Sequence, residues 1–375
     1  MSKRPILLAA GGTGGHLFPA QALAHALRAR GLEVELVTDE RALRYGGEFP
    51  ARATHTIAAA TPRGGSVPDK ARAIATLGVG TLQAFLLLMR MRPLAVVGFG
   101  GYPSVPPLFS ASLLRIPTVL HEANAVMGRA NSFLAGRVDM IAAGFPLAGV
   151  AGALADKIVV TGNPLRPAAL AAAAQPYPDF ADGKLRLLVT GGSQGARVMA
   201  DIVPPALESL PEELRERIEL TQQTREEDLA RVATAYARAG VVAQIAPFFA
   251  DLPERIAAAH LVIARAGAST VTELAVIGRP SILAPLPHAL DQDQAANAAV
   301  LAKSGAAEVV RQADFTPQWL AARIVELAAN PQELQRRAQA AKSVGVADAA
   351  ERLADLVLAV AEKKERAEAA QRSLS

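Results

Sequence analysis

The sequence predicts an α/β protein made of two Rossmann-like domains, each a parallel sheet with helices on both faces. Three observations predict it. Short apolar runs alternate with longer helical stretches along the chain, the pattern of a helix-covered parallel sheet. One device occurs twice, an apolar strand running into a Gly-rich turn and then a helix. It is seen in Leu7-Leu8-Ala9-Ala10-Gly11-Gly12-Thr13-Gly14-Gly15 and again in Leu187-Leu188-Val189-Thr190-Gly191-Gly192-Ser193-Gln194-Gly195. Finally, the chain has 375 residues, which at roughly 150 residues per domain leaves room for two cores.

In chain order, residues 6–10 read as a strand, 19–30 as a helix stopped by Gly31, and 34–37 as the next strand. Strands follow at 95–97, 118–120, 140–142 and 158–160, each leading into Gly, Pro or Asn. Around Gln175-Pro176-Tyr177-Pro178-Asp179 the composition turns Pro-rich, and the pattern restarts at 185–190. Further strands are expected at 218–220, 241–245, 261–264, 281–283 and 307–310. The tail, rich in Ala, Glu and Arg, places Leu353, Leu356, Val357 and Val360 at helical spacing and reads as a closing helix. The expected division is a first domain of residues 1–165, closed by the C-terminal helix 346–375, and a second domain of residues 166–345.

Composition bounds the function. The chain is 51% hydrophobic and 20% charged, so a large core can be buried and disorder is excluded as the main state. With 4% aromatic residues, packing must rest on Ala, Leu, Val and Ile. There is no cysteine, which removes disulfides, thiolate metal sites and Cys nucleophiles. The net charge of +4 suits an anionic substrate or membrane surface and is too small and too evenly spread to argue for nucleic acid. No targeting segment is evident at the N-terminus. The apolar stretch 140–155 is interrupted by Pro146 and glycines, and it falls short of the roughly 20 residues a membrane helix needs. It reads as strand plus turn, and the protein as soluble or at most peripheral.

Both Gly-rich turns place backbone N–H groups at a helix N-terminus, a natural seat for phosphate, although each can equally be a structural tight turn. Neither matches the dinucleotide fingerprint: Leu17 and Gln194 stand where glycines would be needed. His16 follows the first turn, where the helix dipole disfavours imidazolium, so it is a candidate general base or else a capping histidine. His121, in His121-Glu122-Ala123-Asn124, follows a strand end, where α/β sheets bind ligands. His25, His55, His260 and His288 carry no special context.

In the second half, a strand delivers Arg265, Gly267 permits a bend, and Ser269 or Thr270 is expected to cap the next helix. Thr270 and Glu273 fit a capping box; alternatively, Arg265 and the helix start hold a pyrophosphate while Glu273 accepts the ribose hydroxyls. Asp291 and Asp293 form an Asp-x-Asp that reads as the start of a helix running through Asn297 rather than a metal site. Arg63, Lys70, Arg72, Arg90 and Arg92 surround an apolar segment including Ile74, Leu77, Leu82 and 85–89. It is either a buried helix with solvated ends or a peripheral contact with an anionic membrane surface.

Taken together, these segments resemble the MurG family, bacterial transferases that add N-acetylglucosamine to lipid-linked N-acetylmuramyl-pentapeptide. The matching stretches are Gly11 through His16 with Pro19-Ala20, Gly98-Phe99-Gly100-Gly101-Tyr102 with Ser104, and His121 through Asn124. They continue with Gly162-Asn163-Pro164-Leu165-Arg166, Gly191 through Ala196, Arg265 through Glu273, and Gln294 with Asn297-Ala298. Their order is the family's, from about residue 5 to about residue 345.

The resemblance implies a GT-B fold, two Rossmann-like domains facing across a cleft, and an inverting transferase with UDP-N-acetylglucosamine as donor and lipid I as acceptor. It implies donor contacts from Thr13, Gly14, Gly15, Asn124 and Arg166. Further donor contacts would come from Ser193, the backbone of Phe249, Arg265, the helix start Ala268, Ser269, Thr270, Val271, Thr272 and Glu273, and Gln294. Gly100, Gly101 and Tyr102 would face the acceptor pyrophosphate, and His16 would be the base. No cofactor or metal is implied, and the location would be peripheral, at the cytoplasmic face of the bacterial inner membrane. Ala123 departs from the family's usual Gln, and no Trp stands near residue 80. Competing readings are another GT-B enzyme, such as a glycolipid synthase or epimerase, and a dinucleotide oxidoreductase or non-catalytic nucleotide binder.

Overall fold

The computed structural model describes residues 4–12, 14–40, 49–61, 66–192, 195–287 and 293–374. Its contacts divide the chain into Met1–Arg166 with Ala347–Ser375, and Pro167–Val346. In the first unit the elements are β1 (Ile6–Ala9), α1 (Gly14–Ala29), β2 (Val34–Thr38), β3 (Ala53–Thr56), α2 (Val67–Met91) and β4 (Ala95–Gly98). They continue with α3 (Val105–Leu113), β5 (Thr118–Glu122), α4 (Arg129–Ala135), β6 (Met140–Ala143) and β7 (Ile158–Val160). The strands are all parallel, in the order β3-β2-β1-β4-β5-β6-β7, so the direction of winding reverses between β1 and β4. Side chains of β1 are fully buried on both faces, as a central parallel strand requires.

The second unit runs α5 (Pro167–Ala173), β8 (Leu185–Thr190), α6 (Arg197–Glu208), α7 (Glu212–Arg215), β9 (Ile218–Gln223) and α8 (Leu229–Ala239). After these come β10 (Val242–Ala246), α9 (Leu252–Ala258), β11 (Leu261–Ala264), α10 (Ala268–Ile277) and β12 (Ser281–Leu283). The unit ends with α11 (Asp293–Ser304), β13 (Ala307–Val309), α12 (Pro317–Ala328) and α13 (Pro331–Val344). Its sheet is parallel in the order β10-β9-β8-β11-β12-β13, with the reversal between β8 and β11. The last helix, α14 (Ala349–Leu374), returns to the first unit. There Leu353, Val357 and Ala361 pack in one core with Leu23 and Leu27 of α1, and Arg30 pairs with Asp355 at 2.6 Å.

The structure departs from the sequence reading, or adds to it, at four points. Strand β3, Ala-Thr-His-Thr, lacks the apolar run that would announce a strand; it lies at the sheet edge, beside β2 alone. Helix α1 starts at Gly14 rather than at Pro19, because a proline one turn in forfeits only one backbone bond. The stretch 140–155 is a strand, a turn and the start of a short 3-10 helix, whereas among the described residues α2 is the long apolar helix: 25 residues, with an 18-residue stretch of mean hydropathy 1.5. That helix is not buried. Gly80, Ala84 and Leu88 form its one buried stripe, while Val79, Leu82, Leu86 and Met89 on the opposite face are 45–61% exposed. Gly80 is required for that packing, since a Cβ there would lie 1.9 Å from the Ala58 carbonyl oxygen. The fourth point concerns the start of α10 and is described with the site.

Candidate active site

Ligands in open α/β sheets bind beyond the strand C-termini where the winding reverses. In the first unit that point lies between β1 and β4, and Gly11–Gly15 and Gly98–Gly101 both leave the sheet there. Asp39, at the end of β2, accepts the Gly12 N–H at 3.0 Å, and its Oδ1 would lie 2.6 Å from a Cβ on Gly11. The loop is therefore held from behind by a carboxylate and has no room for a side chain at Gly11.

His16 sits in the first turn of α1, half-buried, with Nδ1 3.3 Å from the Gly11 carbonyl. With Nδ1–H donating there, Nε2 keeps its lone pair, as a general base needs. Burial pushes the imidazole below its ordinary value, and the Gly11 carbonyl opposes this only in part. The ring packs on the Gly100–Gly101 turn, where both glycines have positive φ, +85° and +70°. A Cβ on Gly101 would lie 3.1 Å from His16 Cε1, and one on Gly100 would lie 3.5 Å from Cδ2. His16, Gly100 and Gly101, distant in sequence, thus form one constellation. Tyr102 begins the short turn that follows.

His121 lies fully buried beside Phe99, the ring centroids 5.4 Å apart. Burial pushes it down to about 4, opposed by the Gly162 carbonyl and reinforced by charge at His16. Asn124 is fixed by Glu122, whose Oε1 accepts both its backbone N–H at 2.9 Å and its Nδ2 at 3.2 Å. Arg166 stacks over the Phe18 ring at 4.3 Å, and Phe18 in turn covers Gly14, while Gly15 is exposed. Thr13 and Ser193 lie outside the described residues, as do Arg63 and Asp291.

In the second unit the reversal lies between β8 and β11, so the second Gly-rich turn and the start of α10 are neighbours. Gln223 ties the turn down: its Oε1 accepts Thr190 Oγ1–H at 2.8 Å and the Gly191 N–H at 3.2 Å. Arg265, 8% exposed, donates to the carbonyls of Ala284 and Pro285 and to Gln312, and burial lowers its pKa. Gln294 accepts the N–H groups of Ala266 and Leu286, and Asn297 donates to the Ala266 carbonyl, so α11 pins the loop ahead of α10. Phe249 is half-buried under Arg255, 4.3 Å above its ring. Asp293 opens α11 and accepts the Gln294 N–H at 2.8 Å.

The start of α10 overturns the capping expectation. Its N-cap is Gly267, so Ser269 and Thr270 already lie inside the helix, and Thr272 donates to the Ala268 carbonyl. A capping box needs its serine or threonine at the cap itself, and here it stands three residues too late. Glu273 is accordingly a buried residue of the second turn, 8% exposed. Ala268, Ser269 and Thr270 are half-exposed at the N-terminus, whereas the Val271 side chain is in the core and only its backbone can meet a ligand.

Sequence reasoning missed the supporting residues. Asp39, Asn131, Gln223 and Gln312 have no local signature, because each acts across strands. His55 and His260, passed over as featureless, both have partners. His55 Nε2 meets Glu35 at 2.7 Å; His260 stacks on Phe180 and accepts the Arg186 N–H on Nδ1.

Comparison with known proteins adds the following. Residues 6–143 match the glycosyltransferase family 28 N-terminal domain and residues 186–353 its C-terminal domain. The chain is 58% identical over 361 residues to a Rhodopseudomonas palustris protein, covering 95% of this chain and 96% of the relative. It is 58% identical over 355 residues to one from Methylorubrum extorquens, covering 94% and 96%. Each relative is described as a UDP-N-acetylglucosamine–N-acetylmuramyl-(pentapeptide) pyrophosphoryl-undecaprenol N-acetylglucosamine transferase. Among solved structures, Acinetobacter baumannii MurG superposes with a TM-score of 0.76 at 31% identity, covering 95% of this chain and 99% of that one.

Proposed function

From the premise that the chain belongs to glycosyltransferase family 28, and within it to these N-acetylglucosamine transferases, we infer the reaction it carries out. It moves N-acetylglucosamine from UDP-N-acetylglucosamine to the lipid-linked N-acetylmuramyl-pentapeptide, a step of peptidoglycan synthesis. Its fold is that of the GT-B glycosyltransferases. The observation that carries the mechanism is the packing of His16 on the Gly100–Gly101 turn beside the first Gly-rich loop.

On this reading the first unit takes the acceptor. The turn Gly100–Gly101 with Tyr102 faces its pyrophosphate, Gly14, Gly15, Asn124 and Arg166 are donor contacts, and His16 Nε2 takes the proton from the attacking sugar hydroxyl. The hydroxyl displaces UDP at the anomeric carbon from the opposite face, which inverts configuration. The second unit takes the donor. Glu273 accepts the ribose hydroxyls, and the N-terminus of α10 with the cationic Arg265 stabilises the charge that develops on departing UDP. A sheet-end arrangement of this kind needs no assistance from Asp293.

The competing oxidoreductase reading is disfavoured by Asp39. A dinucleotide domain uses the acidic residue after its second strand on a ribose hydroxyl, whereas here that residue is engaged with Gly12. The exposed apolar face of α2, with Lys70, Arg72, Arg90 and Arg92 exposed toward its ends, supports peripheral attachment to an anionic membrane surface. The cytoplasmic face of the inner membrane is where UDP-sugars and the lipid acceptor meet. The test is transfer of radiolabel from UDP-N-acetylglucosamine to a lipid I analogue, with His16→Ala beside it. Transfer by the wild type and a kcat loss of about 10²–10⁴ in the variant, with intact UDP binding, are expected. No transfer by the wild type sinks the function, and a fully active variant sinks the base.

A further inference from the structure

Glu122 has no part in the chemistry above, yet four N–H groups converge on its buried carboxylate. Oε1 takes the two donors of Asn124; Oε2 takes the Gly128 N–H at 2.9 Å and Asn131 Nδ2 at 2.7 Å. Each oxygen is doubly engaged, which exhausts what a carboxylate can accept, and the residue is 3% exposed. These bonds fold residues 123–128 back under the end of β5 and set the first turn of α4, where Asn131 lies.

Asn131 carries the arrangement further. Its Nδ2 also donates to the His121 carbonyl at 3.3 Å and would lie 3.2 Å from a Cβ on Gly100. Gly101, the next residue, leaves no room for a Cβ beside the His16 ring, which such an atom would meet at 3.1 Å. We propose that Glu122 is a positioning residue of the half-site around His16: through Asn131 it holds the Gly100–Gly101 turn that supports His16, and it also fixes Asn124, which the family resemblance places on the donor. The proposal rests on the functional reading of His16 given above.

Only a carboxylate meets four N–H donors at once. Glutamine has one acceptor oxygen, and its NH₂ would be turned against donors that need an acceptor. The Glu122→Gln variant therefore keeps the shape of the side chain and removes its function. We expect kcat/KM for the lipid I analogue to fall about 10- to 100-fold, the scale of a small misplacement of reacting groups, while KM for UDP-N-acetylglucosamine, which the loosened Asn124 affects, rises several-fold less. Asn131→Ala, which cuts the link to Gly100 and leaves Glu122 in place, is expected to shift the same acceptor parameters.

A second readout needs no turnover. The imidazole resonance of His16, assigned with His16→Gln, is expected to move in both variants while that of His260 stays put. Unchanged acceptor kinetics, or a donor KM that rises as much as the acceptor effect, would overturn the proposal. So would a His16 resonance that stays in place in whichever variant folds. A wild-type chain that transfers nothing would instead refute the functional reading, and the resonance would still decide whether Glu122 positions His16.

Discussion

Replacing Gly101 by alanine should damage turnover by a route that can be separated from its cost in stability. The residue has φ +70° and ψ 166°, a conformation essentially confined to glycine, and placing a Cβ there costs about 1–3 kcal/mol. For a unit of this size that is a fall in Tm of about 2–12 °C. The new Cβ would also stand 3.1 Å and 3.3 Å from Cε1 and Nδ1 of His16, closer than ordinary van der Waals contact, so the ring must yield by a few tenths of an ångström. The 3.3 Å bond from Nδ1 to the Gly11 carbonyl is long and resists little. Since misplacement by about 1 Å can cost 100-fold, a loss of about tenfold in kcat is expected. Gly149→Ala is the control for a Cβ at positive φ with no neighbour: its φ is +74° and nothing lies within 4 Å of the added Cβ. The assay is radiolabel transfer at saturating donor, with a melting curve for each variant. An undiminished kcat in both variants, whatever their losses in Tm, would refute the coupling of the turn to His16.

Three further outcomes are expected. Glu273→Ala should weaken UDP-N-acetylglucosamine binding about 10- to 100-fold by calorimetry, the range for a lost hydrogen-bonded carboxylate; unchanged affinity per folded molecule would remove its ribose role. The double change Leu82→Ser and Leu86→Ser, at positions 61% and 49% exposed, should reduce binding to anionic vesicles while leaving Tm nearly unchanged, and salt should weaken the wild-type binding. His121 should make the protein acid-labile. Its folded pKa of about 4 lies below the ordinary 6.5, so the unfolded chain takes up the proton first. The stability it secures above pH 6.5 is lost as pH falls toward 4, by up to about 3 kcal/mol. Urea midpoints across that window should fall less steeply in His121→Gln, and an unchanged slope would contradict this.

Much of the architecture was legible because it is written in local pattern. An apolar run of four or five residues ending in glycines is a buried parallel strand meeting a helix, and its second occurrence at 185–195 marked the second sheet. The same turns pointed to the ligand-binding ends, and both fall where the winding of the sheets reverses. The ordered motifs identified the family, and all but the last of them begin at or just beyond the end of a strand.

What the sequence could not decide depends on partners brought in from elsewhere. The composition of α2 suits a core helix as well as a surface one; only the packing of Gly80, Ala84 and Leu88 leaves the opposite face bare. The pattern around Thr270 satisfies a capping box on paper, but the backbone enters the helix at Gly267 and carries Glu273 a full turn inward. Glu122 stood inside a recognised motif with no role, because the N–H groups of Gly128 and Asn131 that explain it converge only when α4 folds back on β5. Periodicity along a chain records which faces are apolar. Which of those faces are covered, and which polar groups meet across them, is set by the closure of the tertiary fold.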